Sequence, residues 1–335
     1  MYEQRVSGSY YEMGLKIGTI FKKEFNVIEG FPPDFSEEKI KLGMEYEKEV
    51  KKYAPELLEE LQGIADGSGI DYTVLAANEL SPYRLQPSCL VMAISGEHTQ
   101  SGLPMLARNH EWVEEDSQYL TLCYTKPTGK IGSFGFTFMT ANMSRYGGIN
   151  EVGLAIASTN ASFVNSGPGV MINVATRWIL DNCETTEEAA AFLKKIPKVW
   201  GIAYLIIDKN NTIAKVEAHR QKTKITYAED GFELVTLLFD SPEMEQYNQI
   251  DEIAKLHYPR KAFLTKWFDQ NKGIINDKLI IDALKDHEHA MCDHSSDGKF
   301  NYGICWSWIV TIGKNEALVC AGPPCKNEFK KHSIS

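Results

Sequence analysis

Cys89-Leu-Val-Met-Ala-Ile-Ser95, Gly96-Glu-His-Thr-Gln-Ser-Gly102 and Leu103-Pro-Met-Leu-Ala-Arg-Asn-His-Glu-Trp112 form one continuous stretch. It reads as two apolar strands joined by a polar, glycine-bounded turn. The first strand opens on a thiol. The second ends in Arg108-Asn109-His110-Glu111, charges that fit an apolar run only if they point into a site. An antiparallel hairpin brings the start of one strand beside the end of the other, so Cys89 is expected near Arg108 and Glu111. A cysteine beside a cation and a carboxylate is a candidate nucleophile. The competing reading is a structural cysteine opening a core strand, the usual state of a buried thiol. No histidine stands out as a base for the thiol, since His98 falls in the turn at the far end. A chain cut between Ser88 and Cys89 would need none, because the new α-amine titrates near neutrality and can take the proton itself.

Around this hairpin the chain changes character. Residues 8–80 read as helical: a segment with Met13, Ile17 and Phe21 on one face and Gly14 and Gly18 for close packing. A charged helix follows, capped by Asp34 with Glu37, then a helix through Leu57, Leu61 and Ile64 that ends at Gly67 and Gly69. Asp71 to Leu80 reads as a further short helix. Beyond Cys89, β-branched and aromatic runs at 118–125, 131–138, 153–158, 202–207, 212–218, 234–239, 305–312 and 317–321 read as strands. Helices are expected over 172–182 and 185–196, the latter capped by Thr185, and after Ser241 with Pro242 at its first position. Strands clustered with helices, without strict alternation, give an α+β fold with antiparallel sheets.

Composition narrows function by exclusion. The chain has 335 residues, 43% hydrophobic and 24% charged, with a net charge of −10. That balance argues against nucleic acid, which needs a basic surface. No apolar run approaches the roughly 20 residues of a membrane span. Seven cysteines, without a secretory signal, point to a reducing, cytoplasmic setting.

The order Cys89, Arg108-Asn109-His110-Glu111-Trp112, then Asn150-Glu-Val-Gly-Leu154 leading to Asn160 resembles the N-terminal nucleophile hydrolases. Within them it resembles the group of isopenicillin-N acyltransferase, choloylglycine hydrolase and acid-ceramidase-type amidases. The leader motif at Gly8-Ser-Tyr-Tyr-Glu-Met-Gly14 and the tail Gly322-Pro-Pro-Cys325 favour the acyltransferase branch. The resemblance implies a four-layer αββα sandwich. It also implies a precursor that cuts itself before Cys89, with 1–88 as a retained helical leader and 89–335 as the catalytic part of one globular domain.

The implied roles are residue by residue. Cys89 is the nucleophile, Arg108 its neighbouring cation, and Glu111, where relatives usually carry Asp, the partner of the α-amine. Asn160 supplies an oxyanion-hole amide, Asp240 stands where relatives commonly have Asn, and Arg260 matches a second arginine of the site. Leu90 departs from the usual Thr or Ser after the nucleophile. The implied partner is a small-molecule acyl amide or acyl donor, with no metal or organic cofactor, and the assembly a homo-oligomer. Two other readings stand beside this one. A non-catalytic relative would keep the fold as an unprocessed chain. A zinc-dependent hydrolase or zinc-binding module would use His287, His289, Cys292 and His294, although their spacing is not that of a usual finger.

Overall fold

In a computed structural model, the described residues are 1–24, 36–82, 89–138, 143–296 and 301–334. Ser88, on the leader side of the expected cut, and Asp34, the expected helix cap, lie outside them. The leader is β1 (Tyr2–Gly8), α1 (Tyr10–Glu24), α2 (Glu37–Tyr53), α3 (Pro55–Ser68) and α4 (Tyr72–Leu80). The hairpin follows as β2 (Cys89–Ile94) and β3 (Met105–Val113). After it come β4 (Leu120–Pro127), β5 (Ser133–Phe138), β6 (Gly147–Asn150), β7 (Leu154–Ser162), α5 (Ile172–Asn182) and α6 (Thr186–Lys195). Four strands then run as β8 (Gly201–Asp208), β9 (Ile213–Ala218), β10 (Thr223–Tyr227) and β11 (Phe232–Val235). The chain continues through α7 (His257–Asn271), α8 (Asp277–Leu284), β12 (His294–Ser296), β13 (Asn301–Thr311), β14 (Glu316–Ala321) and β15 (Lys330–Ser333).

The strands form two sheets. One has the order β1-β4-β5-β6-β7-β8-β9-β10. The other runs β11-β2-β3-β13-β14-β15, with β12 on β13. Every pairing is antiparallel except β1 on β4. Three apolar clusters fix the layering. The first joins α1 to α6 with Ile156 of β7, Tyr204 of β8 and Val216 of β9. The second lies between the sheets, with Val91, Leu106, Phe134, Ala157, Trp306 and Trp308. The third joins Leu90, Met92 and Ala107 to Leu264 and Trp267 of α7 and Leu284 of α8. Side chains along a strand alternate between faces, so the hairpin feeds two of these cores at once. Two sheets between two helical layers make the αββα sandwich; α1–α4 belong to its first helical layer, while β1 joins the eight-stranded sheet.

That layer is tied down by close approach and charge. A Cβ on Gly14 would meet the Glu60 carbonyl oxygen at 2.0 Å, and one on Gly63 the Tyr11 carbonyl oxygen at 2.2 Å, so α1 and α3 cross backbone to backbone. Fully buried Arg177 of α5 donates to both oxygens of Glu60 in α3 (3.1 and 2.9 Å) and to Asp181 (2.8 Å).

Two local expectations are corrected. Ser36, not Asp34, is the N-cap of α2, its hydroxyl accepting from the Lys39 N–H. No α-helix begins at Ser241. Its hydroxyl and its N–H are both engaged by Glu217, so the cap is spent elsewhere, and 3₁₀ turns at Glu245–Tyr247 and Ala254–Leu256 follow before α7.

Candidate active site

Register in the hairpin sets the site. Cys89 lies directly opposite His110, and Val91 opposite Arg108. Directly opposed residues share a face. Cys89 alternates with Val91 and Ala93, which face the other sheet, so its thiol points into the space between the sheets. There Arg108 Nη2 donates to Cys89 Sγ at 3.1 Å, and His110 Nδ1 lies 3.8 Å from the same sulfur. His110 is thus a histidine at the thiol that the sequence reading missed. The signal was present: the hairpin that predicts Arg108 near Cys89 also faces His110 to it once the register is known. The ring stacks on Trp306 at 3.8 Å, with 9° between planes. Burial, and then the Arg108 charge, hold its pKa well below the usual histidine value, so it stays neutral and acts as an acceptor rather than a second cation.

The surroundings of the thiol carry several buried polar atoms. Among the described residues, Arg108 Nε and Nη1, His110 Nε2 and Trp306 Nε1 are buried without a hydrogen-bond partner. Buried polar atoms are normally paired, so a cluster of such groups beside a thiol is suited to gripping a polar substrate. Cys89 itself is only 2% exposed.

Glu111 falls on the opposite face of β3 from His110, toward α7. Arg260 of α7 reaches it with both terminal nitrogens, Nη1 to Oε2 at 2.9 Å and Nη2 to Oε1. Burial would lower the Arg260 pKa, but Glu111 outweighs it and holds the guanidinium above its usual value. Arg260 is fully buried. Its Nε also donates to the Ala290 carbonyl at 2.7 Å.

Asn160 sits at a bulge, where the register of β7 against β8 shifts between Asn160 and Ser162. Bulges break the simple alternation of a strand and re-aim its side chains. The Trp200 indole N–H donates to Asn160 Oδ1 at 2.6 Å, which turns the amide's donor end, Nδ2, away from Trp200. Trp200 thereby fixes the orientation of the Asn160 amide. Asp240 is engaged by His257 (3.1 Å), Lys261 and Lys215 (3.6 Å). Burial would raise its pKa, but these hydrogen bonds and charges hold it well below the usual carboxylate range. The structure thus sorts the expected residues into three groupings, Cys89 with Arg108, Glu111 with Arg260, and Asp240 with the lysines, while Asn160 stands on the facing sheet.

The cluster considered as a zinc module is rearranged. His289 Nδ1 donates to Asp286 Oδ1 at 3.0 Å and the ring stacks on Phe263, so His289 leaves the group. Cys325 takes its place beside His287, Cys292 and His294.

A model of the family described as acyl-coenzyme A:6-aminopenicillanic acid acyl-transferase matches residues 98–301, more than half of the chain. The chain belongs to this acyl-transferase family. The match begins after Cys89, so it reaches Arg108 to Arg260 without the thiol itself. Curated protein sequences give no match. Among solved structures the fold is similar to a variant of conjugated bile acid hydrolase from Clostridium perfringens. That comparison has 13% identity and a TM-score of 0.52, and covers 74% of this chain and 97% of that one. It is also similar to an N-acylethanolamine-hydrolyzing acid amidase ortholog from Caenorhabditis elegans, at 13% identity and a TM-score of 0.50, over 68% of this chain and 94% of that one. At these identities the likeness concerns architecture, and the acyl-transferase family member has the N-terminal nucleophile hydrolase fold. Among the described residues, no helix is long and apolar enough to cross a membrane.

Proposed function

We propose that the chain is a cysteine amidohydrolase or acyltransferase that cleaves itself before Cys89 and then breaks or forms a linear amide through a thioester. The observation that carries this is the Arg108 guanidinium 3.1 Å from the Cys89 sulfur at the first residue of β2. This charge-assisted contact sets a fixed cation against the sulfur that would attack an acyl carbonyl. The two structural neighbours are named for hydrolysing conjugated bile acids and N-acylethanolamines. Both names describe acyl amides, which supports an acyl amide or acyl donor of small size as substrate here.

In the cut chain the α-amine of Cys89 takes the thiol proton, and the thiolate attacks the acyl carbonyl. Asn160 Nδ2 and backbone N–H groups receive the oxyanion. The tetrahedral intermediate collapses as the C–N bond breaks, with the leaving amine taking the proton from the α-ammonium. Water or an acceptor amine then adds to the thioester and releases the thiol. Glu111, held by Arg260, anchors the α-ammonium. Asp240 acts as a positioning residue, its charge offset by Lys215 and Lys261. After cleavage, 1–88 stays bound through the β1–β4 pairing and the Glu60–Arg177 ion pair. Seven free cysteines accord with a reducing, cytoplasmic setting.

Intact mass and N-terminal sequencing of the purified chain beside Cys89→Ala test the proposal. Two fragments, the second beginning Cys-Leu-Val-Met, are expected for the native chain and a single chain for the variant. A native chain that stays whole, with no label from a probe selective for N-terminal cysteine, overturns self-cleavage and leaves a non-catalytic relative.

A further inference from the structure

We propose that His287, Cys292, His294 and Cys325 form a closed tetrahedral zinc site that clips the 286–294 segment to the turn following β14. One potential ligand atom from each of the four lies within 4.8 Å of all the others. Tetrahedral zinc, with Zn–S near 2.3 Å and Zn–N near 2.0–2.1 Å, sets its ligand atoms roughly 3.3–3.8 Å apart. His294 Nε2 is 3.2 Å from Cys325 Sγ and 3.7 Å from Cys292 Sγ, so two edges of that tetrahedron are already close to the required length. The His287 and His294 rings lie 5.5 Å apart, which brings the fourth ligand to the same corner.

Two independent features point to a metal rather than a chance cluster. The other nitrogen of His294, Nδ1, lies 2.9 Å from Glu114 Oε1. A carboxylate behind an imidazole fixes its tautomer, so that Nε2 presents a lone pair, and this is the usual outer shell of a zinc histidine. The second feature is strain. Ala290 holds a φ of +57°, a left-handed conformation that a residue with a Cβ adopts only when something over-determines it. It lies within the loop that the four ligands would pin.

Four protein ligands leave no open position, so the site is structural and does not supply a hydrolytic water. Binding converts both thiols to thiolates and releases two protons to solvent. The consequence reaches the candidate active site. The Ala290 carbonyl accepts from Arg260, and the Met291 carbonyl accepts from Asn109 Nδ2 at 2.8 Å. A clipped 286–294 segment therefore holds Arg260, and with it Glu111, in place. The sequence reading held three of these four ligands and put His289 in the place of Cys325, which lies far along the chain from the others.

The full-length chain is incubated with zinc, desalted and analysed for metal, and in parallel titrated with Co(II). One zinc per chain is expected, with a thiolate-to-cobalt charge-transfer band and the intense visible absorption of tetrahedral Co(II). Cys325→Ser and His294→Ala should each lower bound zinc at least tenfold, while His289→Ala keeps it. The cobalt spectrum needs no variant, so a misfolded substitution does not blunt the test. Absence of the thiolate band in the native chain, undiminished zinc in Cys325→Ser, or a Cys292–Cys325 disulfide without metal each overturns the proposal. None of these outcomes bears on cleavage before Cys89, which fails or stands separately.

Discussion

The Glu111–Arg260 pair is the sharpest test of how the helix-facing side of the hairpin is held. Both side chains are almost fully buried, and the guanidinium grips the carboxylate with two nitrogens. Removing one partner leaves an uncompensated buried charge, which costs about 3–5 kcal/mol. For 335 residues, an unfolding entropy of roughly 2.1 cal/mol/K per residue gives about 0.7 kcal/mol per degree, so Arg260→Met should lower Tm by roughly 4–7 °C. The measurement is best made in a Cys89→Ala background, so that every chain is covalently the same. Glu111→Gln strands the arginine instead and should cost a similar amount. The double variant leaves no unpaired charge and should recover at least ~2 kcal/mol relative to the sum of the single losses. Denaturant midpoints of the four chains complete the cycle. Additivity within ~0.5 kcal/mol would refute the reasoning, because residues that share one ion pair cannot act independently.

Asn160→Ala should lower kcat by roughly 10²–10³ with little change in KM, the usual loss for one oxyanion donor. Trp200→Phe, which removes only the indole N–H that holds Asn160 Oδ1, should lower kcat by a smaller factor, and an unchanged kcat in both would remove Asn160 from the site. Glu79, at the end of α4, is buried and its pKa is pushed up to about 8, chiefly by burial, with Lys39 opposing. A carboxyl whose folded pKa lies above its unfolded value stabilises the fold fully below about pH 4.5 and loses that contribution as pH rises toward 8, at up to ~1.4 kcal/mol per pH unit. Urea midpoints at pH 5 and pH 8 should therefore converge in Glu79→Gln, and an unchanged pH dependence would contradict this assignment.

What the sequence made legible was local. Periodicity and a cap placed α5 over Ile172–Asn182 and put Thr185 at the start of α6, its hydroxyl accepting from the Glu188 N–H. The glycines of α1 are where two helices cross. Misreadings came where a side chain with a familiar local role was claimed by a distant partner. Ser241 has the sequence of a cap, but Glu217 on β9 takes its hydroxyl. His289 has the spacing of a ligand, but Phe263 and Asp286 take its ring. β1 escaped notice because its strand character comes from pairing with β4 across the chain rather than from an apolar run. The same division runs through the site. Arg108 was readable because a hairpin brings it to Cys89, whereas His110 needed the register, which the turn between the strands sets and the sequence does not spell out.

That register carries a consequence for catalysis. Alternation sends the thiol, Arg108 and His110 to the space between the sheets, and sends Glu111 with Arg260 to the helical side. A side chain on β2 can face only one of these groups. The main-chain nitrogen of Cys89 lies in the plane of the sheet, between the two faces. Under the proposed cleavage, the freed amine would exchange a proton with the sulfur on one side and be held as an ammonium by Glu111 on the other. A histidine base would serve the thiol alone, and His110, kept neutral by burial and by Arg108, is poorly suited to hold that proton. On the proposed mechanism, the division of charge between the two faces of one hairpin is a physical reason for the nucleophile to supply its own base. An engineered chain starting at Cys89, refolded with a separate 1–88 segment, should therefore be active without any cleavage step. The same chain carrying one extra residue before Cys89 should not be, and equal activity of the two would show that the amine has no such role.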